Sequence, residues 1–404
     1  MAKSSTLRSF QHRNFRILYP ANALSNIGTW SQRVAQDWLV LELTDKDAAM
    51  LGLVTAIQFL PAMLLSLYGG LLADRFNKRK LLILTNTGAA LTSVILGLLV
   101  IAGSVQLWHV FVLALGLGVF TAIDSPIRVS FTSELVGKDD LANAVSLNSA
   151  NFNVGRLVGP ALSGYLIFFY GTGPSFLINT GTYVFMVATL LFLRDKDLHI
   201  TSKPARDNKL SEAFKYVKSR PDLMLVMLTV FFTTTFGLNF QIFIALMATK
   251  EFGMQADQFG ALGSLLAVGS LTGAIVAARL EKSRTTQNIL FGATLFGVLL
   301  MLSAYIPSPL LFALMLPIMG ATALLTLISA NTYVQSNTSN ALRGRVMGIY
   351  LMIFMGGTPI GAPLIGFVAA AVGIRLTIVL CGLVLVVAAF LIRRKFKGLE
   401  PVTI

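Results

Sequence analysis

The 404-residue chain is 55% hydrophobic and only 12% charged, with a mean hydropathy of +0.74. Soluble domains carry about 25% charged residues, so an assembly of soluble domains is excluded. A formal net charge of +14 raises nucleic acid as a partner, but the placement of the basic residues along the chain argues against it.

Residues 1–15 carry Lys3, Arg8 and Arg13 without a small-residue cleavage site, so they do not read as a cleaved signal peptide. Twelve apolar blocks follow, at 16–43, 49–72, 81–102, 107–132, 141–169, 174–193, 223–249, 258–281, 287–306, 309–336, 343–371 and 375–392. Each is long enough to cross a hydrocarbon core of ~30 Å. The prediction is an all-α polytopic membrane protein with twelve transmembrane helices.

The connections alternate in charge. With the N-terminus on the cytoplasmic side, that side holds 26 of the 32 Lys and Arg residues, and the opposite side holds Lys46, Lys250 and Arg375. The positive-inside rule then places both termini in the cytoplasm. The positive charge is thus a topology signal, and no nucleic-acid partner is expected. The compact loops suit the inner membrane of a prokaryotic cell.

Metal and cofactor chemistry are not expected. Cys381 is the single cysteine and falls in the last apolar block, where it should pack as a small hydrophobe. His12, His109 and His199 are far apart in sequence and near block ends. Gly137-Lys138 is followed by Asp139, so no phosphate-binding Gly-Lys-Ser/Thr loop exists. No convergent catalytic groups suggest an enzyme.

The longest polar stretch, 194–222, contains Leu210, Phe214 and Val217 at i, i+4, i+7 with Lys209, Glu212, Lys215 and Lys218 between them. That spacing predicts a short amphipathic helix at the cytoplasmic interface. It divides the chain into an N-terminal six-helix bundle (1–193), a linker (194–222) and a C-terminal six-helix bundle (223–404). The halves repeat: Gly155, Gly159 and Gly164 recur as Gly357, Gly361 and Gly366, and Gly69 to Arg75 is echoed by Gly273 to Arg279. Parallel duplication of a helical bundle builds one large class of secondary transporters.

Polar residues inside the blocks narrow the chemistry. The first helix has Asn22, Asn26, Thr29, Arg33 and Gln36/Asp37 on one face, beside Trp30. Facing lipid, such a stripe would be costly, so it should face a cavity or partner helices. Thr322, Thr326, Ser329 and Tyr333 make a milder stripe in the tenth block, which interhelical hydrogen bonding alone could explain. Asn22, Asn26, Thr29, Trp30, Gln36, Thr322, Thr326 and Tyr333 are the substrate-cavity candidates.

Asp37 and Asp124 are the only two acids deep in the apolar blocks, each with an arginine four residues away, Arg33 and Arg128. Either pair could be a static ion pair or a proton-coupling site. Burial raises a carboxyl pKa and a neighbouring arginine lowers it, so a carboxylate whose arginine contact changes could bind and release a proton. Asp37 fits that role better, and Asp124 suits a gate. Arg156, mid-helix in the fifth block, needs a partner, for which Asp124 is a candidate.

Two motifs carry a family resemblance. Gly70-Leu71-Leu72-Ala73-Asp74-Arg75-Phe76-Asn77-Lys78-Arg79-Lys80 resembles the signature loop of the major facilitator superfamily, with Asn77 where the family usually has glycine. Asparagine tolerates a left-handed backbone, so the turn is expected to survive. Gly155-Arg156-Leu157-Val158-Gly159-Pro160-Ala161-Leu162-Ser163-Gly164 resembles the antiporter motif of its exporters, with Ser163 replacing a glycine. Asp124-Ser125-Pro126-Ile127-Arg128 and Gln32 to Leu39 resemble the branch of enterobactin and drug exporters.

The resemblance implies two pseudo-symmetric six-helix bundles around a central cavity. It also implies a cytoplasmic latch at Gly70, Asp74, Arg75, Lys78 and Arg79, and an exporter seam at Gly155, Arg156, Gly159, Pro160 and Gly164. The expected activity is export of an amphipathic small molecule, drug-like or siderophore-like, against protons, by a monomer in the lipid bilayer. A facilitator or importer is the alternative within transport.

Overall fold

The computed structural model describes residues 7–199, 210–279, 285–339 and 342–396. Its main elements are α1 (Arg13–Leu43), α2 (Ala48–Arg75), α3 (Lys78–Ile101), α4 (Leu107–Val136), α5 (Leu141–Tyr170), α6 (Gly173–Leu191) and α7 (Leu210–Ser219). They continue with α8 (Pro221–Phe232), α9 (Phe240–Leu246), α10 (Ala256–Arg279), α11 (Thr286–Ala304), α12 (Pro309–Ser336), α13 (Arg343–Val372) and α14 (Ile374–Lys395). No strand occurs among the described residues, in keeping with the need of a membrane chain to satisfy its backbone within each segment.

Eleven segments of the described residues are long and apolar enough to span a bilayer. The remaining predicted span is α1. At 31 residues it exceeds the required length, and its polar and charged stripe is what lowers its hydropathy.

The seventh predicted span, 223–249, is not one continuous α-helix. It runs as α8, a π-helical turn at Thr233–Gly237, α9 and a second π-helical turn at Met247–Glu251. Hydroxyl and amide side chains compete with the backbone there. Thr234 Oγ1 donates to the Val230 carbonyl at 2.9 Å, Asn239 Nδ2 to Thr235 at 2.7 Å, and Thr249 Oγ1 to Ala245 at 2.7 Å. Such back-bonding and π-bulges interrupt helices without any proline.

The chain forms two compact units. Unit 1 comprises residues 1–43 and 60–205; unit 2 comprises 44–59 and 206–404. The first half of α2, expected in the N-terminal bundle, therefore groups with unit 2. The reason is close backbone packing: Gly52 lies against Ala362 and Gly366 of α13, where a Cβ would meet the Gly366 Cα at 3.1 Å.

Unit 1 is built on α1 packed against α5 and α6, with α3 against α4 and α6. One of its cores joins Phe15 and Leu18 of α1, Leu82 of α3, Ile127 and Phe131 of α4, and Met186 and Leu190 of α6. Unit 2 pairs α10 with α12 and α11 with α14, while α13 packs on the π-helical turn at Thr233–Gly237. Cys381 is buried in α14, as expected of a small hydrophobe.

The amphipathic helix forms as α7, with a different apolar face from the one predicted. Ala213 and Val217 are buried against Leu223, Val226 and Val334, while Phe214 is 51% exposed. The Leu210 side chain and the 200–209 part of the predicted linker lie outside the described residues. Glu212 is held by Arg345 of α13 at 2.6 Å.

Candidate functional site

Unit 1 concentrates polar and charged side chains on α1 and the helices packed around it. On α4, Arg128 reaches Asp124 Oδ2 through Nε at 2.8 Å and Nη2 at 2.6 Å. Asp124 Oδ1 accepts from Thr85 Oγ1 and Asn86 Nδ2 of α3, each at 2.8 Å. Arg128 Nη1 donates to Asn22 Oδ1 of α1. Three helices thus close on one ion pair, and both carboxylate oxygens are filled. Removing one member of such a pair strands the other, at a cost of about 3–5 kcal/mol.

Asn22, expected to face a cavity, is instead buried in this network. Asp124, the candidate partner for Arg156, is engaged by Arg128, Thr85 and Asn86. Thr85 and Asn86 were not singled out from the sequence. Their signal is a pair of polar residues inside the apolar block 81–102, but their partner is 38 residues or more away in the chain.

Further along α1, Gln32 Oε1 accepts from Ser93 Oγ of α3 at 2.7 Å and from Asn179 Nδ2 of α6 at 2.6 Å. All three are buried. Thr29 Oγ1 and the Tyr183 hydroxyl lie 3.2 Å apart. The polar stripe of α1 therefore faces partner helices over much of its length. Gln32, Ser93, Asn179 and Tyr183 join the site only in three dimensions.

The third cluster is centred on Trp30. The glycines of α5 bring it close to α1: a Cβ on Gly155 would meet the Asn26 Cβ at 2.8 Å, and one on Gly159 the Trp30 Cβ at 2.6 Å. Only at such contacts can the next residue, Arg156, come beside α1. The Arg33 guanidinium carbon stands 4.6 Å from the Trp30 ring centroid and that of Arg156 5.4 Å from it. Phe152 adds an edge-on ring at 5.8 Å. Gln36 and Asp37 are buried, and Asp37 acts electrostatically on Arg33.

The cytoplasmic-loop candidates divide. Lys78 pairs with Glu134 at 2.7 Å. Arg79 binds Asp195 at 2.6 Å and the carbonyls of Leu190 and Leu191. Arg75 is exposed, and the surroundings of Gly70 and of the Asp74 side chain lie outside what the structure describes. Asn77 is not left-handed: at φ −63° it caps α3 by accepting from the Lys80 amide at 3.0 Å. An N-cap needs an extended residue with a side-chain acceptor, which asparagine supplies and glycine lacks.

At the start of α5, Asp140 Oδ2 accepts from Gln11 Nε2 at 2.6 Å and lies 2.8 Å from His12 Nε2, while Oδ1 pairs with Arg8 at 2.6 Å. The His12 hydrogen bond, with Gln11 and the Arg8 charge, holds the Asp140 carboxyl below the usual carboxylate range. His12 and His199, distant in sequence, have ring centroids 5.7 Å apart. Among the described residues no group of three His, Cys, Asp or Glu could hold a metal ion.

The unit 2 candidates are packed rather than gathered. Thr322 is half-buried and donates to the Ile318 carbonyl. Thr326 is buried and back-bonded to Thr322. Tyr333 is buried, with its hydroxyl 3.2 Å from Asp222 Oδ2, which Arg220 also holds at 2.7 Å. Tyr333 thus serves an ion pair at the start of α8.

Comparison with known proteins places this arrangement. The family described as transmembrane secretion effector matches residues 4–400. The staphyloferrin A transporter of Staphylococcus aureus is 24% identical, with 95% of this chain and 97% of that protein covered. The enterobactin exporter EntS of Citrobacter koseri is also 24% identical, with 83% of this chain and 82% of that protein covered. A crystal structure of a bacterial homolog to the human lysosomal transporter Spinster, in an inward-facing and occupied conformation, shares the fold. Its TM-score is 0.77 at 16% identity, covering 97% of this chain and 98% of that chain.

Proposed function

The chain belongs to the transmembrane secretion effector family within the major facilitator superfamily, and on that footing we propose that it exports an amphipathic small molecule, siderophore-like or drug-like, in exchange for protons. It is a multi-pass membrane transporter and not an enzyme. The likeness to the staphyloferrin A transporter and the enterobactin exporter favours a siderophore-like cargo.

The observation that carries the proton coupling is the contrast between the two intramembrane acids. Asp124 is closed in on both oxygens by Arg128, Thr85 and Asn86. Such an acid is suited to holding α1, α3 and α4 together as a gate. Asp37 is buried on α1 beside an arginine that also stacks on Trp30. An arginine shared between an acid and a ring has a second place to go. When it moves, the carboxylate loses its counter-charge and takes up a proton. That exchange is the elementary step of coupling.

The same reading places the protein as a monomer in the inner membrane with both termini cytoplasmic, following the basic loops. Reporter fusions at Lys203 and Lys46 should give opposite signals. Transport is tested in everted vesicles with an imposed pH gradient and a compound panel. Gradient-driven accumulation of at least one amphipathic compound is expected. Accumulation that is indifferent to the gradient would replace antiport by facilitated movement.

A further inference from the structure

We propose that unit 1 holds a binding site for a phosphate-bearing anion at the end where α1 begins and α6 ends, in the cavity between residues 11–13 and 196–199. The site stands apart from the transport machinery proposed above and shares no residue with it.

The cavity measures about 390 Å³, inside the range of small-molecule pockets, about 300–1,000 Å³. Two stretches of chain line it, Gln11 to Arg13 and Lys196 to His199. Bonds next to the cavity hold the two stretches together. Asn14 Nδ2 donates to the Arg194 carbonyl at 2.8 Å, and the Arg194 amide donates to Asn14 Oδ1 at 3.1 Å. Asp140 fixes Gln11 and His12, and the His199 amide donates to the Glu134 carbonyl at 2.7 Å. The walls are therefore set before a ligand arrives, which lowers the cost of binding one.

Charge selects the ligand. Arg8, Lys78 and Arg79, at the same end of the unit, each have a carboxylate, in Asp140, Glu134 and Asp195. Arg16 and Lys80 are exposed to water. Arg13 is different: it is half-buried, and its Nη1 is buried with no acceptor among the described residues. A buried charged donor without an acceptor is costly, and an oxyanion in the cavity gives this guanidinium the acceptor that the chain does not. Lys196 adds an exposed ammonium. His12 and His199, with ring centroids 5.7 Å apart, add two imidazoles. Asp197 is the one acid on the lining. Arg13 and Lys196 outweigh it before either imidazole takes a proton.

A guanidinium fork, an ammonium and imidazole N–H groups from two stretches of chain suit a phosphate, whose oxygens point in several directions. A planar carboxylate is satisfied by one fork. Two sources carry a phosphate. Leu191 and Phe192, exposed at the end of α6 just before Lys196, fit a phospholipid whose headgroup enters the cavity. A soluble phosphate compound is the other source.

The test uses the full-length chain purified in a neutral detergent. Its thermal midpoint is followed against inorganic phosphate and against dihexanoylphosphatidylglycerol, with ionic strength held constant by chloride. A ligand that binds only the folded chain raises the midpoint, and a saturable rise is expected with at least one of the two. Whichever half-saturates at the lower concentration identifies the source, lipid headgroup or soluble phosphate. Arg13→Gln should raise the half-saturating concentration about tenfold and Lys196→Gln about threefold, as for the loss of a charge-assisted hydrogen bond. Arg16→Gln removes the same charge from the same helix outside the cavity and should change it less than about twofold, since an exposed charge is screened. No saturable rise with either probe, a response that Arg13→Gln or Lys196→Gln leaves unchanged, or an equal loss in Arg16→Gln would each overturn the site. Lys196 is exposed, so Lys196→Gln decides the matter where Arg13→Gln fails to fold.

Discussion

In unit 1 the seam glycines Gly155 and Gly159 lie against Asn26 and Trp30; in unit 2 their repeats Gly357 and Gly361 lie against Thr234 and Thr235. The two seams are the same device, a glycine pair one turn apart that lets two helices meet backbone to backbone. What borders them differs. Seven residues beyond Asn26 stands Arg33, and seven beyond Thr234 stands Gln241; eleven beyond each stand Asp37 and Ala245. The unit 1 helix is continuous, whereas the unit 2 helix is interrupted by π-helical turns at Thr233–Gly237 and Met247–Glu251. A duplicated fold has kept its packing in both halves, while the acids deep in the apolar blocks, Asp37 and Asp124, both stand in unit 1. Chemistry is thus concentrated in unit 1 and backbone irregularity in unit 2.

The largest effect expected from that asymmetry is at Asp37. Asp37→Asn should abolish accumulation driven by a pH gradient while leaving exchange of substrate down its own gradient. Counterflow and gradient-driven uptake, measured in the same vesicles, separate the two. If Asp37→Asn still accumulates substrate on a proton gradient alone, the Asp37–Arg33 pair is structural and the functional contrast between the units fails.

Next comes the closed ion pair. Arg128→Ala leaves Asp124 buried without its cation and should cost about 3–5 kcal/mol of stability. It is read as a lower thermal midpoint and folded yield in detergent. Asp124→Asn should be milder for stability and should slow both gradient-driven transport and exchange, which distinguishes a gate from a coupling site. An Asp124→Asn variant that loses only gradient-driven uptake would exchange the roles of the two acids.

Much of this is legible in the sequence, and particular residues show why some is not. The helices follow from apolar length, and the α1 stripe from its spacing. The repeat is visible as Gly155/Gly159 and Gly357/Gly361 before either pair has a partner. Asp124–Arg128 is visible because i, i+4 is a local relation. Thr85, Asn86, Gln32, Ser93 and Asn179 escape assignment because each finds its partner on another helix. Arg156 beside Trp30 is likewise a contact between α5 and α1 that no spacing encodes. The break in the seventh span goes unsignalled since no proline marks it; threonine and asparagine side chains make it. Asn77 reads as a left-handed turn residue, while the helix that follows needs a cap.

Glycine replacements sharpen the comparison at a smaller scale. An added methyl in a packed seam costs typically about 1–3 kcal/mol. Gly361→Ala would drive its Cβ into the backbone of Thr235, and Gly159→Ala into Trp30 and the Ile27 carbonyl. Both should lower the thermal midpoint. Only Gly159→Ala should also slow gradient-driven transport, because only the unit 1 seam borders the α1 stripe that carries Arg33 and Asp37.

The smallest effect concerns how α5 and α13 begin. Asp140 stands at the N-cap of α5, and 202 residues on, at the N-cap of α13, stands Leu342. Asp140 gathers His12, Gln11 and Arg8, and these hold its carboxyl below the usual range. A depressed folded-state pKa contributes stability above the unfolded value of about 3.9, lost as pH falls through the folded value. Asp140→Asn should therefore lower the thermal midpoint modestly at neutral pH, and the gap from wild type should close as the medium is brought below about pH 4. Hydrogen exchange should place the loosening at the first turn of α5 and at residues 8–12. The first turn of α13, whose N-cap is Leu342, should not respond. A pH-independent gap would mean that the Asp140→Asn side chain fails for reasons of shape rather than charge, and equal loosening at α13 would deny that the two helix starts differ in kind.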